Sequence, residues 1–267
     1  MFDKLKPTLF HLLHTVMGVK TTSATIVPEV LPKFHEHIES YCEKLAAMKK
    51  GDGIEHLKEW RVEYAIAYKI KAMSRHEYIS VAVIDIHKKT HHLVIERMAG
   101  ESPYDTNIDP KPKPEPVRLL SSNPSVSSTS SSSISSSSDF TCSADDRIGP
   151  LPSSGMWNKT DTAIYELHFK KEKPLYLYQL AILALVVHKA NPEYLLTSNN
   201  CYHFAGTIMK CLEKEYQTLN VVEGVEAGLW CGIDIYSRQK GKFLPLLENF
   251  KEYIEKFVSS SFPILSN

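Results

Sequence analysis

The strongest constraint on the fold is a break in the middle of the chain. From Asp109 to Pro116, proline stands at every second position (Pro110, Pro112, Pro114, Pro116). Ser121 to Ser138 follows, with 13 serines in 18 positions. Alternating prolines favour an extended, polyproline-type backbone. A serine tract cannot bury enough apolar surface to offset its ordering entropy. Residues 101–155 are therefore expected to be a disordered Pro/Ser-rich insertion. Any core must be assembled from the pieces on either side. The chain then divides into an N-terminal helical region (1–73), a β-hairpin of the core (74–100), the insertion (101–155), and the remainder of the core with a cysteine-bearing helix and a C-terminal helix (156–258).

Hydrophobic periodicity fills in the pieces. Phe34, Ile38, Tyr41 and Leu45 follow helical spacing. Gly51-Asp52-Gly53 breaks the chain, and Ile54 to Ala72 reads as a second helix. Glu77 to Asp85 and Leu93 to Arg97 are β-branched and aromatic, with a polar turn at His87-Lys88-Lys89-Thr90 between them, which predicts a hairpin. Ala163 to Phe169 alternates like a strand. Leu175 to Ala190 reads as an apolar helix, and Leu246 to Val258 as an amphipathic one. Helices around a small antiparallel sheet, in mixed order, indicate the α+β class.

Composition narrows the function. Thirty-one basic and 31 acidic side chains leave no net charge, which argues against general polyanion binding and hence against a nucleic-acid partner. Five scattered cysteines (Cys42, Cys142, Cys201, Cys211, Cys231) form neither a disulfide framework nor a C-x-x-C pair, so a reducing, cytoplasmic location is expected. The most apolar run, Pro174 to Val187, falls short of the roughly 20 residues a bilayer span needs. No transmembrane span is expected, although this run or the N-terminal segment leaves room for peripheral membrane contact. Neither His11-x-x-His14 nor His35-Glu36-His37 has the H-E-x-x-H form that puts two ligands on one helix face, so neither metal nor cofactor is expected.

The chemistry concentrates at Asn199-Asn200-Cys201-Tyr202-His203-Phe204. Asparagine is a favoured helix N-cap. If Asn200 caps, Cys201 opens a helix, where free N–H groups and the macrodipole favour an anion. A thiol so placed is a better nucleophile at neutral pH, and the same N–H groups can hold a developing oxyanion. Such a thiolate needs a base, and the base an orienting partner. His76 is the candidate base, at the start of the first hairpin strand. On the second strand His92, Val94 and Glu96 share one face. With the turn centred near Lys88, Glu96 lies nearer His76, while His92 fits by residue type; both stay open as orienter.

The segment Tyr194-x-Leu196-x-x-Asn199-Asn200-Cys201-x-His203-Phe204 resembles the Asn-Cys-Glu-His-Phe segment of the lecithin retinol acyltransferase-like proteins. These are a branch of the circularly permuted papain-like (NlpC/P60-type) superfamily. In that group a strand histidine comes first, a second polar residue next, and the cysteine last, at a helix N-terminus. The order His76, then His91, His92 or Glu96, then Cys201 is similar. Tyr202 stands where the family usually has glutamate. The resemblance implies a permuted papain-like core, with its small antiparallel sheet packed on helices. It also implies thiol acyl-transfer or hydrolysis on an acyl, lipid or protein substrate. The expectation is a cysteine-dependent hydrolase or acyltransferase acting on an ester, thioester or amide, with Cys201, His76 and either His92 or Glu96 carrying the site. A non-catalytic interaction module on the same fold is the alternative.

Overall fold

The computed structural model describes residues 30–71, 76–100, 141–195, 200–216, 218–223, 229–230, 233–234 and 243–259. The first element is a two-residue strand, β1 (Glu36–His37), which runs directly into helix α1 (Ile38–Lys58). Tyr41, Cys42, Leu45 and Ala46 form the buried stripe of α1. The expected break at Gly51-Asp52-Gly53 survives only as a kink: Gly53 takes φ +83° inside the helix, a left-handed conformation that favours glycine.

Ile54 to Ala72 is not a second helix. Its first residues complete α1, and Arg61–Lys69 is strand β2. The sequence Arg-Val-Glu-Tyr-Ala-Ile-Ala-Tyr-Lys has the period of a strand, but its alanines lower the β signal. Tertiary pairing decides the matter, because β2 lies between two other strands. Next come β3 (Glu77–Ile84) and β4 (Thr90–Ala99), the expected hairpin. Its turn is organised by Asp85, whose carboxylate accepts from the backbone N–H of His87 and of Lys89, each at 2.9 Å. Lys88 takes φ +62° there.

Residues 101–140 of the expected insertion lie outside the described residues. The rest of that stretch is structured: Thr141–Pro150 is strand β5, paired with β4 from Ala99↔Ala144 to Leu93↔Pro150. The segment Thr-Cys-Ser-Ala-Asp-Asp-Arg-Ile-Gly-Pro has little intrinsic β preference; its edge pairings to β4, β1 and β8 make it a strand.

The remaining elements are β6 (Thr162–Phe169), β7 (Leu175–Tyr176), helix α2 (Leu177–Ala190), β8 (Glu193–Leu195), helix α3 (Cys201–Glu215), β9 (Thr218–Glu223), β10 (Leu229–Trp230), β11 (Ile233–Asp234) and helix α4 (Phe243–Val258). Among the described residues the main sheet runs β1-β5-β4-β3-β2-β6-β9, with β7 added on β2 and β8 on β5. Every pairing in it is antiparallel. The sheet is larger than the small one expected, and the α+β class holds.

Helix α2 is buried from Leu177 to Val187 except at Gln179, with α1, α3 and α4 packed around it. Burying each of its Leu, Ile and Val side chains contributes about 1.5–3 kcal/mol. Among the described residues, no helix is long and apolar enough to cross a membrane.

Helix α3 lies on β3 and β4. Two buried cations reach it from the sheet. Lys69 Nζ stands 5.1 Å from the Tyr202 ring centre, and Arg97 Cζ 4.7 Å from that of Phe204. Arg97 also grips Asp146 of β5 with two hydrogen bonds, Nε to Oδ1 at 2.7 Å and Nη2 to Oδ2 at 2.6 Å. His188 of α2 approaches the same carboxylate, with Nδ1 2.8 Å from Oδ2. One charge cluster thus ties β4, β5, α2 and α3 together beneath the cysteine helix. A paired, hydrogen-bonded geometry is what allows such charges to be buried.

Candidate active site

Asn200 does cap α3. Its backbone is extended, and its side-chain oxygen accepts from the backbone N–H of His203 at 3.2 Å. Cys201 is therefore the first helical residue, as the motif predicts, and its thiol lies 4% exposed. The free N–H groups of the first turn and the positive end of the helix dipole surround it.

His76 is held where β3 begins. Its carbonyl accepts from the Ile70 N–H at 2.9 Å, one step beyond the Lys69↔Glu77 pair, so the β2–β3 ladder fixes its backbone. Its ring lies between two partners. Nε2 stands 3.0 Å from Glu96 Oε2, and Cys201 is near enough to act on the ring's protonation. Burial works against a charged ring here, but the hydrogen bonds and charges of Cys201 and Glu96 outweigh it and lift His76 to about 9.

The register separates the two candidate orienters. Glu96 pairs with Tyr78, two residues from His76, whereas His92 pairs with Ala82. At ~3.4 Å per residue, four residues put His92 roughly 14 Å farther along the sheet. His92 has other surroundings. Its ring lies 6.3 Å from the Tyr64 ring, and its Nδ1 is buried without a hydrogen-bond partner. Burial, with the neighbouring His91, lowers its pKa. The structure thus brings Cys201, His76 and Glu96 together and leaves His92 outside.

Two neighbours of this group were not singled out in the sequence as site residues. His35 Nδ1 lies 3.4 Å from the other Glu96 oxygen, so the carboxylate bridges two histidines. The His35 ring stacks on Trp157 with centres 5.3 Å apart. Trp157 is fixed in turn, since its backbone N–H donates to the Tyr78 hydroxyl at 3.1 Å, and that hydroxyl donates to Asp161 at 2.7 Å. No sequence signal pointed to His35, because its approach to Glu96 depends on pairing between β1 and β5.

The second neighbour is Tyr194 of β8. Burial, with Cys201 and Cys142 nearby, pushes its phenol up to about 12. A signal for it existed in the chain, since tyrosine opens the quoted segment seven residues before the cysteine. Among the described residues, no group of three or more His, Cys, Asp or Glu side chains could hold a metal ion.

A buried thiol at a helix start, a histidine on it and a carboxylate behind the histidine can move one proton and present one nucleophile. The chain matches no protein-family profile, no curated protein and no solved structure.

Proposed function

We propose that the protein is a cysteine-dependent hydrolase or acyltransferase acting on an ester, thioester or amide. The observation that carries this reading is the His76–Glu96 hydrogen bond beside a cysteine at a capped helix N-terminus. Cys201 adds as thiolate to the carbonyl carbon. His76, having taken the thiol proton, returns it to the leaving group. Glu96 holds the ring and stabilises the imidazolium. The permuted papain-like core implied by the cysteine segment belongs to the same proposal, as do a cytoplasmic location and an acyl, lipid or protein substrate.

A second reading, a non-catalytic interaction module, has one observation in its favour: the thiol is only 4% exposed. Iodoacetamide alkylation of Cys201, followed by mass spectrometry across pH, separates the two. The enzyme reading expects a thiolate that reacts well below the ordinary thiol range of about 8.5, with the profile displaced in His76→Ala. An unreactive thiol, or a profile indifferent to His76, favours the interaction module.

A further inference from the structure

A carboxylate has two oxygens to satisfy, and His76 takes only one of those of Glu96. The Glu96 side chain is 8% exposed, so solvent does little for the other. That oxygen, Oε1, has His35 Nδ1 at 3.4 Å. A ring nitrogen turned toward a carboxylate carries its hydrogen, because two sets of lone pairs would otherwise oppose each other. The contact is longer than the 3.0 Å between Oε2 and His76 Nε2, so His76 is the principal partner and His35 steers the carboxylate from its other end.

The ring of His35 is held from two sides of the sequence. The β1–β5 register pairs Glu36 with Ile148 and His37 with Arg147, which brings His35 to Gly149. The ring lies against that glycine: a Cβ at position 149 would come 2.7 Å from His35 Cγ and Cδ2 and 2.9 Å from Nδ1. The Trp157 indole stacks on the same ring, with the two planes 23° apart. The other polar groups opposite Glu96 are engaged elsewhere. Arg147 pairs with Glu96 across the β4–β5 ladder, but its guanidinium binds Asp145, as does His37 Nδ1 at 3.0 Å. Tyr78 pairs with Glu96 across the β3–β4 ladder, but its hydroxyl turns to Asp161.

We propose that His35 is a positioning residue that acts through Glu96: its Nδ1–H, set against Oε1, fixes the plane of the carboxylate and so keeps Oε2 aligned with His76 Nε2. This rests on the reading of the site as a thiol acyl-transfer centre. A carboxylate held at one oxygen swings about its terminal torsion, which is broad and soft. Held at both oxygens, it does not. The alignment matters because His76 takes the thiol proton and later returns it, and its ring must keep one orientation through both steps. A displacement of about 1 Å at a reacting group can cost about 10²-fold in rate. His35 exchanges no proton with the substrate; its whole effect passes through the carboxylate. Glycine at 149 is a condition of the arrangement, since any side chain there would push the His35 ring aside.

The test follows acylation of Cys201 by p-nitrophenyl acetate in the full-length chain. His35→Phe keeps a ring for Trp157 and removes the N–H. His35→Asn removes the ring and keeps an N–H at the place of Nδ1. Acylation should fall by about 10- to 10²-fold in His35→Phe and stay within a few-fold of the native rate in His35→Asn. The pH midpoint of Cys201 alkylation by iodoacetamide should move in His35→Phe in the same direction as in Glu96→Gln. Adding His35→Phe to Glu96→Gln should cost little more than Glu96→Gln alone, because both changes act on one carboxylate. Gly149→Ala leaves every side chain of the site in place but displaces the His35 ring, so it should copy His35→Phe, and it serves if His35→Phe does not fold. Equal losses in His35→Phe and His35→Asn would reduce the residue to ring packing and overturn the proposal. So would a full further loss in the Glu96→Gln background, or native rates in both His35→Phe and Gly149→Ala. Those outcomes leave the acyl-transfer reading standing as long as the native chain is acylated and His76→Ala is not. If Cys201 of the native chain is never acylated, that reading fails, and this inference with it.

Discussion

Replacing Glu96 by glutamine removes a negative charge 3.0 Å from His76 Nε2 and leaves the shape nearly unchanged. At that separation and an effective dielectric of about 20, the gross attraction to an imidazolium is on the order of 5 kcal/mol, before the cost of burying both groups. The net result bounds what remains. His76 rises from 6.5 to about 9 against opposing burial, with Cys201 and Glu96 both contributing. At ~1.4 kcal/mol per pKa unit, the two partners together supply at least roughly 3 kcal/mol, because burial opposes the rise. Losing Glu96 should therefore lower the His76 midpoint by about 1–2 units. The assay is a titration of the His76 ring by nitrogen-detected NMR, assigned with His76→Ala as the blank. A midpoint still near 9 in Glu96→Gln would refute the account of the site as a coupled trio.

The same shift has a consequence for stability. A histidine whose folded pKa is raised contributes stability that is fully present below its unfolded pKa of about 6.5 and is lost as pH rises through about 9. Denaturant unfolding of the native chain should show this decline between those limits, and Glu96→Gln should flatten it.

Other perturbations reach the frame around the site. Arg97→Met leaves Asp146 buried beside His188 without its guanidinium, and should cost about 3–5 kcal/mol in urea unfolding; the double variant with Asp146→Leu should recover most of it. Asn200→Ala removes the α3 cap and should cost about 1 kcal/mol, with slower alkylation of Cys201 as the first turn loosens; unchanged stability would argue that the cap bond does not hold the helix start. Gly155→Ala puts a Cβ 2.9 Å from His92 Nδ1 at a residue with φ +70°, and a loss of roughly 1–3 kcal/mol is expected in thermal unfolding. Cys211, whose thiol burial pushes up to about 12, should resist iodoacetamide in the native chain and label only after unfolding, a built-in control for Cys201.

The candidate site was legible where chemistry and local periodicity agreed. The Asn200-Cys201 cap and the β3–β4 hairpin could be read directly, and a turn near Lys88 put Glu96 nearer His76 while leaving both Glu96 and His92 open. What could not be read were features that exist only through pairing. Strand β2, with two alanines among its tyrosines, reads in the sequence as part of a helix; β3 and β6 flank it and make it a strand. Strand β5 has the composition of a loop, yet its Asp146 closes the cluster on Arg97 and its Cys142 faces Tyr194 across the ladder. His35 comes to Glu96 from just before a two-residue strand whose register is set by β5. The Asp146 cluster and the approach of His35 were hidden because β5 itself was hidden beside the serine tract.

The way β4 hands over to β5 has its own consequence. The chain leaves at Gly100 and is back in register by Ser143, where the Gly100 N–H donates to the Ser143 carbonyl at 2.8 Å. The two ends of the intervening stretch are thus held side by side. For such a stretch the entropy of closure grows only with the logarithm of its length, about 0.6 kcal/mol for each doubling. Length at this point is nearly neutral for the fold: repeats can be gained or lost here while Glu96, a few residues upstream on the same strand, keeps its distance from His76. A chain built this way can vary its longest tract from one relative to the next without disturbing its chemistry.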